Sequence, residues 1–153
     1  MCSSDLAACI SQGINVLYIT LEMAEERIAE RIDANQLNLT MDELRTISKE
    51  DYERKFSALR TKTQGKLIIK EYPTASASVL HFRALLNDLA LKKAFKPDII
   101  FIDYLNICAS GRIKPGGNVN SYTYIKSIAE ELRGLAVEFN LPIVSATQTT
   151  RSG

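Results

Sequence analysis

Four short runs rich in β-branched and apolar residues punctuate the chain, and longer runs at helical spacing separate them. The first is Asn15-Val16-Leu17-Tyr18-Ile19-Thr20, preceded by Gln12-Gly13, which reads as a helix stop. The second is Lys66-Leu67-Ile68-Ile69-Lys70-Glu71, set between Gln64-Gly65 and Tyr72-Pro73. The third runs from Asp98 through Ile102 after Lys96-Pro97, and the fourth is Pro142-Ile143-Val144-Ser145-Ala146-Thr147. Residues 16–19 and 99–102 are nearly continuous in apolar side chains, which suits strands covered on both faces of a parallel sheet.

Between the strands, Val79, Phe82, Leu85, Leu86 and Leu89 repeat at helical spacing. So do Ile125, Ile128, Leu132, Leu135 and Phe139, with Glu130, Glu131, Arg133 and Glu138 largely off that stripe. Asn140 ends this helix before Pro142. Thr40 and Glu43 stand at capping-box spacing, and two helical stretches are expected between residues 24 and 64. Strands alternating with crossovers this long predict an α/β fold of three layers, a mainly parallel sheet between helices. Residues 109–120, carrying Gly111, Pro115, Gly116 and Gly117, lack regular periodicity. A loop that long in a compact domain is more often functional than idle.

At 153 residues the chain is the size of one domain and can bury a core without a disulfide or metal staple. Its hydrophobic share of 46% and charged share of 24% exclude disordered and collagen-like classes. Lys and Arg number 19 against 18 Asp and Glu, so no global basic field exists and any nucleic-acid contact must be local. The longest apolar runs are too short to span a bilayer, and residues 1–10 lack the pattern of a secretory signal. Cys2, Cys9 and Cys108 are odd in number with no CxxC spacing, so they read as reduced thiols of a cytosolic protein rather than a zinc site. No membrane partner is expected, and the location is cytoplasmic.

Ligands of open α/β sheets sit outside the carboxyl ends of the strands, so the residues there matter most. The first strand runs into Leu21-Glu22, the third into Asp103 and the fourth into Thr147-Gln148. Asp103 follows four consecutive apolar residues, and an acid there is costly unless a cation or hydrogen bonds meet it. In nucleotide hydrolases this placement holds the water shell of a phosphate-bound magnesium ion. The same residue also suits a cap on the turn at Tyr104-Leu105. Glu22 is placed to deprotonate a water attacking a γ-phosphate, and equally to favour the dipole of the next helix from its first turn. Gln148 can donate to a terminal phosphate, or simply be polar where a strand surfaces. Arg112 and Lys114 suit phosphate contacts, as they suit an ordinary solvated loop. His81, the only histidine, takes no catalytic role, Cys108 packs, and residues 49–62 form a solvated helix face. No G-x-x-x-x-G-K-S/T occurs, so the backbone nest and lysine that cradle phosphates are missing.

Together these stretches resemble DnaB-like replicative helicases of the RecA fold. Val16-Leu17-Tyr18-Ile19-Thr20-Leu21-Glu22-Met23 is similar to their strand and catalytic glutamate. Ile99-Ile100-Phe101-Ile102-Asp103-Tyr104-Leu105 is similar to their Walker B strand, and Leu141-Pro142-Ile143-Val144-Ser145-Ala146-Thr147-Gln148 to the strand ending in a phosphate-sensing glutamine. Glu22-Met23-Ala24-Glu25-Glu26, Arg31-Ile32-Asp33-Ala34-Asn35, Lys70-Glu71-Tyr72-Pro73-Thr74, Asn120-Ser121-Tyr122-Thr123 and Ile128-Ala129-Glu130-Glu131-Leu132-Arg133 carry the likeness most strongly toward the replicative helicases of T4-like bacteriophages.

The resemblance implies a RecA-like core, a homo-hexameric ring around single-stranded DNA, ATP and Mg as cofactors, and a primase and helicase loader as partners. It implies Glu22 as general base, Asp103 as the acid that meets Mg through water, and Gln148 as γ-phosphate sensor. Arg112 and Lys114 would contact DNA from a central-channel loop, and Thr149, Thr150 and Arg151 would begin a second. Residues 1–153 are then expected to be a partial RecA-like ATPase domain, incomplete at both ends. The Walker A strand and loop would precede residue 1, and the arginine finger and C-terminal strands would follow residue 153. Two alternatives stand beside this: a RecA-type recombinase fragment, and a catalytically inactive stand-alone module that regulates a helicase or primase.

Overall fold

Where the strands of the sheet begin, Asn15 holds three of them. In the computed structural model, which describes residues 3–62, 65–114 and 120–148, the Asn15 amide donates to Asp98 Oδ2 at 2.8 Å. Its side-chain oxygen accepts from the Lys66 amide at 3.0 Å, and its carbonyl accepts from the Asp98 amide at 2.8 Å. One residue thus ties the starts of three strands. Gly65 closes this corner with no room to spare, since a Cβ there would drive into the Ile14 carbonyl and lie 2.8 Å from that of Ile10.

From this edge run β1 (Val16–Thr20), β2 (Leu67–Glu71), β3 (Ile99–Asp103) and β4 (Ile143–Ser145). They pair in parallel in the order β2-β1-β3-β4. All five residues of β1 are buried, as expected of a central strand with helices on both faces. Alternate residues of the strands feed opposite layers. Leu17, Ile19, Ile100 and Ile102 pack against α5 (Val79–Lys93) and α6 (Ser121–Phe139) through Phe82, Leu86, Leu89, Ile128, Leu132 and Leu135. Val16, Tyr18 and Phe101 face the other way, onto Leu6 and Ile10 of α1 (Ser3–Ser11) and Ile28 and Ile32 of α2 (Glu25–Gln36). The three-layer α/β architecture expected from the apolar periodicity is the one observed.

The punctuation also matches. Gly13 takes a left-handed φ of 81° after α1, and Asn140 does the same at φ 52° after α6. The Thr40–Glu43 capping box is formed in both directions. The excursion before β2, however, holds three helices rather than two: α2, α3 (Met41–Thr46) and α4 (Lys49–Arg60). A second cap divides the run, because Ile47 is extended and the Ser48 hydroxyl accepts from the Asp51 amide at 3.1 Å. As expected of a solvated face, α4 buries no residue fully.

Candidate functional site

The turn after β1 is built before any ligand arrives. Thr20 is fully buried, and its hydroxyl accepts from the Met23 amide at 3.0 Å while donating to the Met23 carbonyl at 2.9 Å. The Leu21 amide donates to the Asp103 carbonyl at 3.1 Å, and the Thr74 hydroxyl to the Leu21 carbonyl at 2.7 Å. With both neighbours fastened, Glu22 projects from a fixed backbone. Its side chain is exposed and has no hydrogen-bond partner among the described residues. The N-cap of α2 is Ala24, so Glu25 and Glu26, not Glu22, occupy the first turn. The helix-dipole reading of Glu22 falls on that count.

Asp103 ends β3 beside Thr20 of β1 and is half-buried. Tyr18 Oη donates to its Oδ2 at 2.7 Å. Burial raises the Tyr18 pKa well above its ordinary value, the bond to Asp103 and the carboxylate charge raise it further, and Arg31 opposes them. The phenol therefore stays a donor at neutral pH. The carboxylate does not cap the following turn, because the Leu105 amide donates instead to the Ala146 carbonyl at 3.0 Å. The Asp103–Tyr104 peptide is cis.

Gln148 lies three residues past β4 and is exposed. Asn106 holds its backbone, accepting at Oδ1 from the Gln148 amide at 3.2 Å and from the Thr147 hydroxyl at 2.9 Å. Because β1, β3 and β4 are adjacent and parallel, Glu22, Asp103 and Gln148 all stand at the carboxyl edge of the sheet. That edge is where open α/β sheets bind ligands.

Arg112 and Lys114 are exposed and make no ion pair with a described residue. Their loop is tied to α6 rather than to the strand ends. Tyr124 Oη accepts from the Ser110 amide at 3.1 Å, and Ser110 Oγ donates to Glu131 Oε1 at 2.6 Å. The Gly111 amide donates to Glu131 Oε2 at 2.8 Å. Glu131 is buried and faces the loop, which corrects its assignment to the solvent side of the helix. Its spacing from Ile128 and Leu135 places it on the apolar stripe, so the signal was present and hidden by its charge. Burial works to raise the Glu131 pKa, but bonds from Ser110, Gly111, Ser127 and the Arg112 amide outweigh it and hold the carboxyl below its usual value.

Arg151, with Thr149 and Thr150, lies outside the described residues. Besides Glu131, sequence reasoning missed Tyr18 and Asn106. A phenol inside an apolar strand needs a polar partner, which was the available sign for Tyr18. His81 serves structure, accepting at Nδ1 from the Ser78 amide at 3.1 Å to cap α5. Burial pushes the Cys108 thiol up to about 12, so it packs and does not react. Among the described residues no helix is long and apolar enough to cross a membrane, and no group of three or more His, Cys, Asp or Glu could cage a metal ion.

Known proteins match along nearly the whole chain. It is 52% identical over 139 residues to the DnaB-like replicative helicase of Enterobacteria phage T4, which covers 89% of this chain and 29% of that protein. It is 32% identical to the probable plasmid replicative DNA helicase of Chlamydia trachomatis serovar L2, over 93% of this chain and 30% of that one. The chain thus spans less than a third of the length of either relative. Among solved structures, a DnaB-like replicative helicase studied with primase superposes over 93% of this chain and 33% of its own, at a TM-score of 0.68 and 19% identity. A solved ATPase domain superposes over 97% of this chain and 52% of its own, at 0.73 and 17% identity, which establishes the RecA-like fold. The relatives named are helicases, and the recombinase alternative gains nothing from them. The family model for the DnaB-like helicase C terminal domain matches residues 2–153, and the chain belongs to that family.

Proposed function

We propose that residues 1–153 form part of the RecA-like ATPase core of a replicative DNA helicase, which couples ATP hydrolysis to movement on single-stranded DNA and duplex unwinding. The observation that carries this is the shared carboxyl edge of β1, β3 and β4, from which Glu22, Asp103 and Gln148 all follow. The partners are single-stranded DNA, identical subunits in a hexameric ring, a loader and a primase, in the cytoplasm of the cell. The relative solved for its interactions with primase supports the last.

The residues present fit a nucleotide-borne Mg ion. Asp103 has one oxygen held by Tyr18, and among the described residues its Oδ1 has no partner and no protein-only cage is formed. Such an ion keeps most of its waters and is held by phosphates with one or two carboxylates. When bound, it offsets charge on the phosphoryl oxygens. Glu22, exposed and without a hydrogen-bond partner among the described residues, takes the proton of the attacking water, Asp103 would hold the ion through its water shell, and Gln148 donates its amide to the terminal phosphate. Arg112 and Lys114 contact the DNA backbone, as does Arg151. The phosphate cradle comes from sequence other than these 153 residues, which lack the Walker A motif.

The test is a chimera in which this chain replaces the matched segment of the T4 relative. Hydrolysis and unwinding stimulated by single-stranded DNA are the expected result, whereas a folded chimera with neither sinks the proposal. The 153-residue chain alone is expected to hydrolyse ATP no faster than its Glu22→Gln variant, with or without DNA. In the chimera, Tyr18→Phe removes only the hydroxyl that orients Asp103. Hydrolysis should fall roughly tenfold to a hundredfold, the usual cost of losing a partner that orients a metal-site ligand. Stability should change by no more than about 1 kcal/mol, since water reaches the half-exposed carboxylate. Unchanged hydrolysis at saturating Mg, together with an unchanged Mg requirement, would remove Tyr18 from the site.

A further inference from the structure

Glu131 is a buried carboxylate with more donors than a helix surface supplies. Besides Ser110 Oγ and the Gly111 amide, Ser127 Oγ donates to its Oε1 at 3.2 Å. Ser110 Oγ in turn accepts from the Arg112 amide and the Ile113 amide, both at 3.1 Å. The carboxylate therefore grips four successive residues, 110–113, directly at two and through one hydroxyl at the next two. Contact is close enough that a Cβ on Gly111 would lie 3.2 Å from Glu131 Oε2. Backbone whose amides are hydrogen-bonded this way is already ordered, while the Arg112 and Lys114 side chains stay exposed and make no ion pair with a described residue.

We infer that Glu131 is a positioning residue for DNA binding: it holds the stem of the 109–114 loop so that Arg112 and Lys114 meet phosphates from a fixed backbone. The inference rests on the reading of that loop as a DNA contact. Charge alone argues for the opposite result. Deleting an acid beside a phosphate-binding loop strengthens nucleic-acid binding by Coulomb attraction, and an acid that merely supports α6 leaves binding unchanged. A positioning role alone predicts weaker binding, because the loop must then be ordered as DNA binds.

The experiment uses Glu131→Gln, which keeps one acceptor oxygen but turns an amide toward Gly111, and Ser110→Ala, which removes the hydroxyl linking Glu131 to Arg112 and Ile113. In the chimera, each should raise the Kd for an oligo-dT strand by about tenfold, the cost of ordering about one backbone residue, while hydrolysis without DNA is retained. In the 153-residue chain, each should speed tryptic cleavage after Arg112. An Arg112→Ala/Lys114→Ala double variant runs in parallel. If the double variant binds DNA normally, the loop is not a DNA contact and the inference falls with that reading. If the double variant weakens binding but Glu131→Gln and Ser110→Ala leave it unchanged or tighter, the positioning role alone is overturned.

Discussion

Glu22→Gln in the chimera is expected to lower DNA-stimulated ATP hydrolysis by about a hundredfold to ten-thousandfold, the range over which a positioned general base contributes. The amide is isosteric with the carboxylate but cannot take a proton from water. Little else should change. Glu22 is exposed and touches no described residue through a hydrogen bond, and its turn is held by Thr20, Thr74 and the Leu21–Asp103 backbone bond. Stability should therefore stay within about 0.5 kcal/mol of the unmodified chain, as for ordinary surface changes. Nucleotide binding should survive, since the residue acts on water and not on the phosphate itself. The check is steady-state hydrolysis alongside nucleotide affinity. Equal loss of both would mean that Glu22 binds rather than activates, and a loss under tenfold would move the base elsewhere.

The largest effect on folding is expected at Phe82. Its side chain is 1% exposed, and its ring meets Tyr72 edge-on at 5.9 Å, within the cluster that joins α5 and α6 to the sheet. Phe82→Ala removes that ring and leaves a cavity between helix and strands, at a cost of about 3–5 kcal/mol. That is a large share of the roughly 5–15 kcal/mol that holds a domain folded. Urea unfolding of the 153-residue chain should show a lower midpoint with an unchanged slope. Leu80→Ala, two residues away on the same helix but 62% exposed, is the control and should move the midpoint little. Equal effects at both positions would mean that α5 does not pack on the sheet through this face.

Much of this was legible in the sequence because it is local. Apolar periods of 2 and 3.6 record which side of an element meets the core, so the strands through Val16, Leu67, Ile99 and Ile143 and the helices α5 and α6 could be read directly. So could the carboxyl-edge position of Glu22, Asp103 and Gln148, since a parallel sheet puts strand ends on one side. Capping pairs three residues apart were also within reach. The Thr40 box is one, and the Ser48–Asp51 cap that splits the excursion into three helices is another, masked by the continuous charge around it.

Only the tertiary structure decided which partners those residues have. Tyr18 reaches Asp103 across 85 residues of sequence because β1 and β3 are neighbours in a particular register, which no single-strand pattern records. Asn15 joins three strand starts, and Asn106 holds the backbone of Gln148 across 42 residues, for the same reason. Glu131 is the sharpest case. Helical spacing put it on the buried stripe, its charge argued for solvent, and the free energy was settled by donors from a loop 20 residues earlier. A buried charge is tolerated where hydrogen bonds replace water. Those bonds exist only once the chain has folded back on itself.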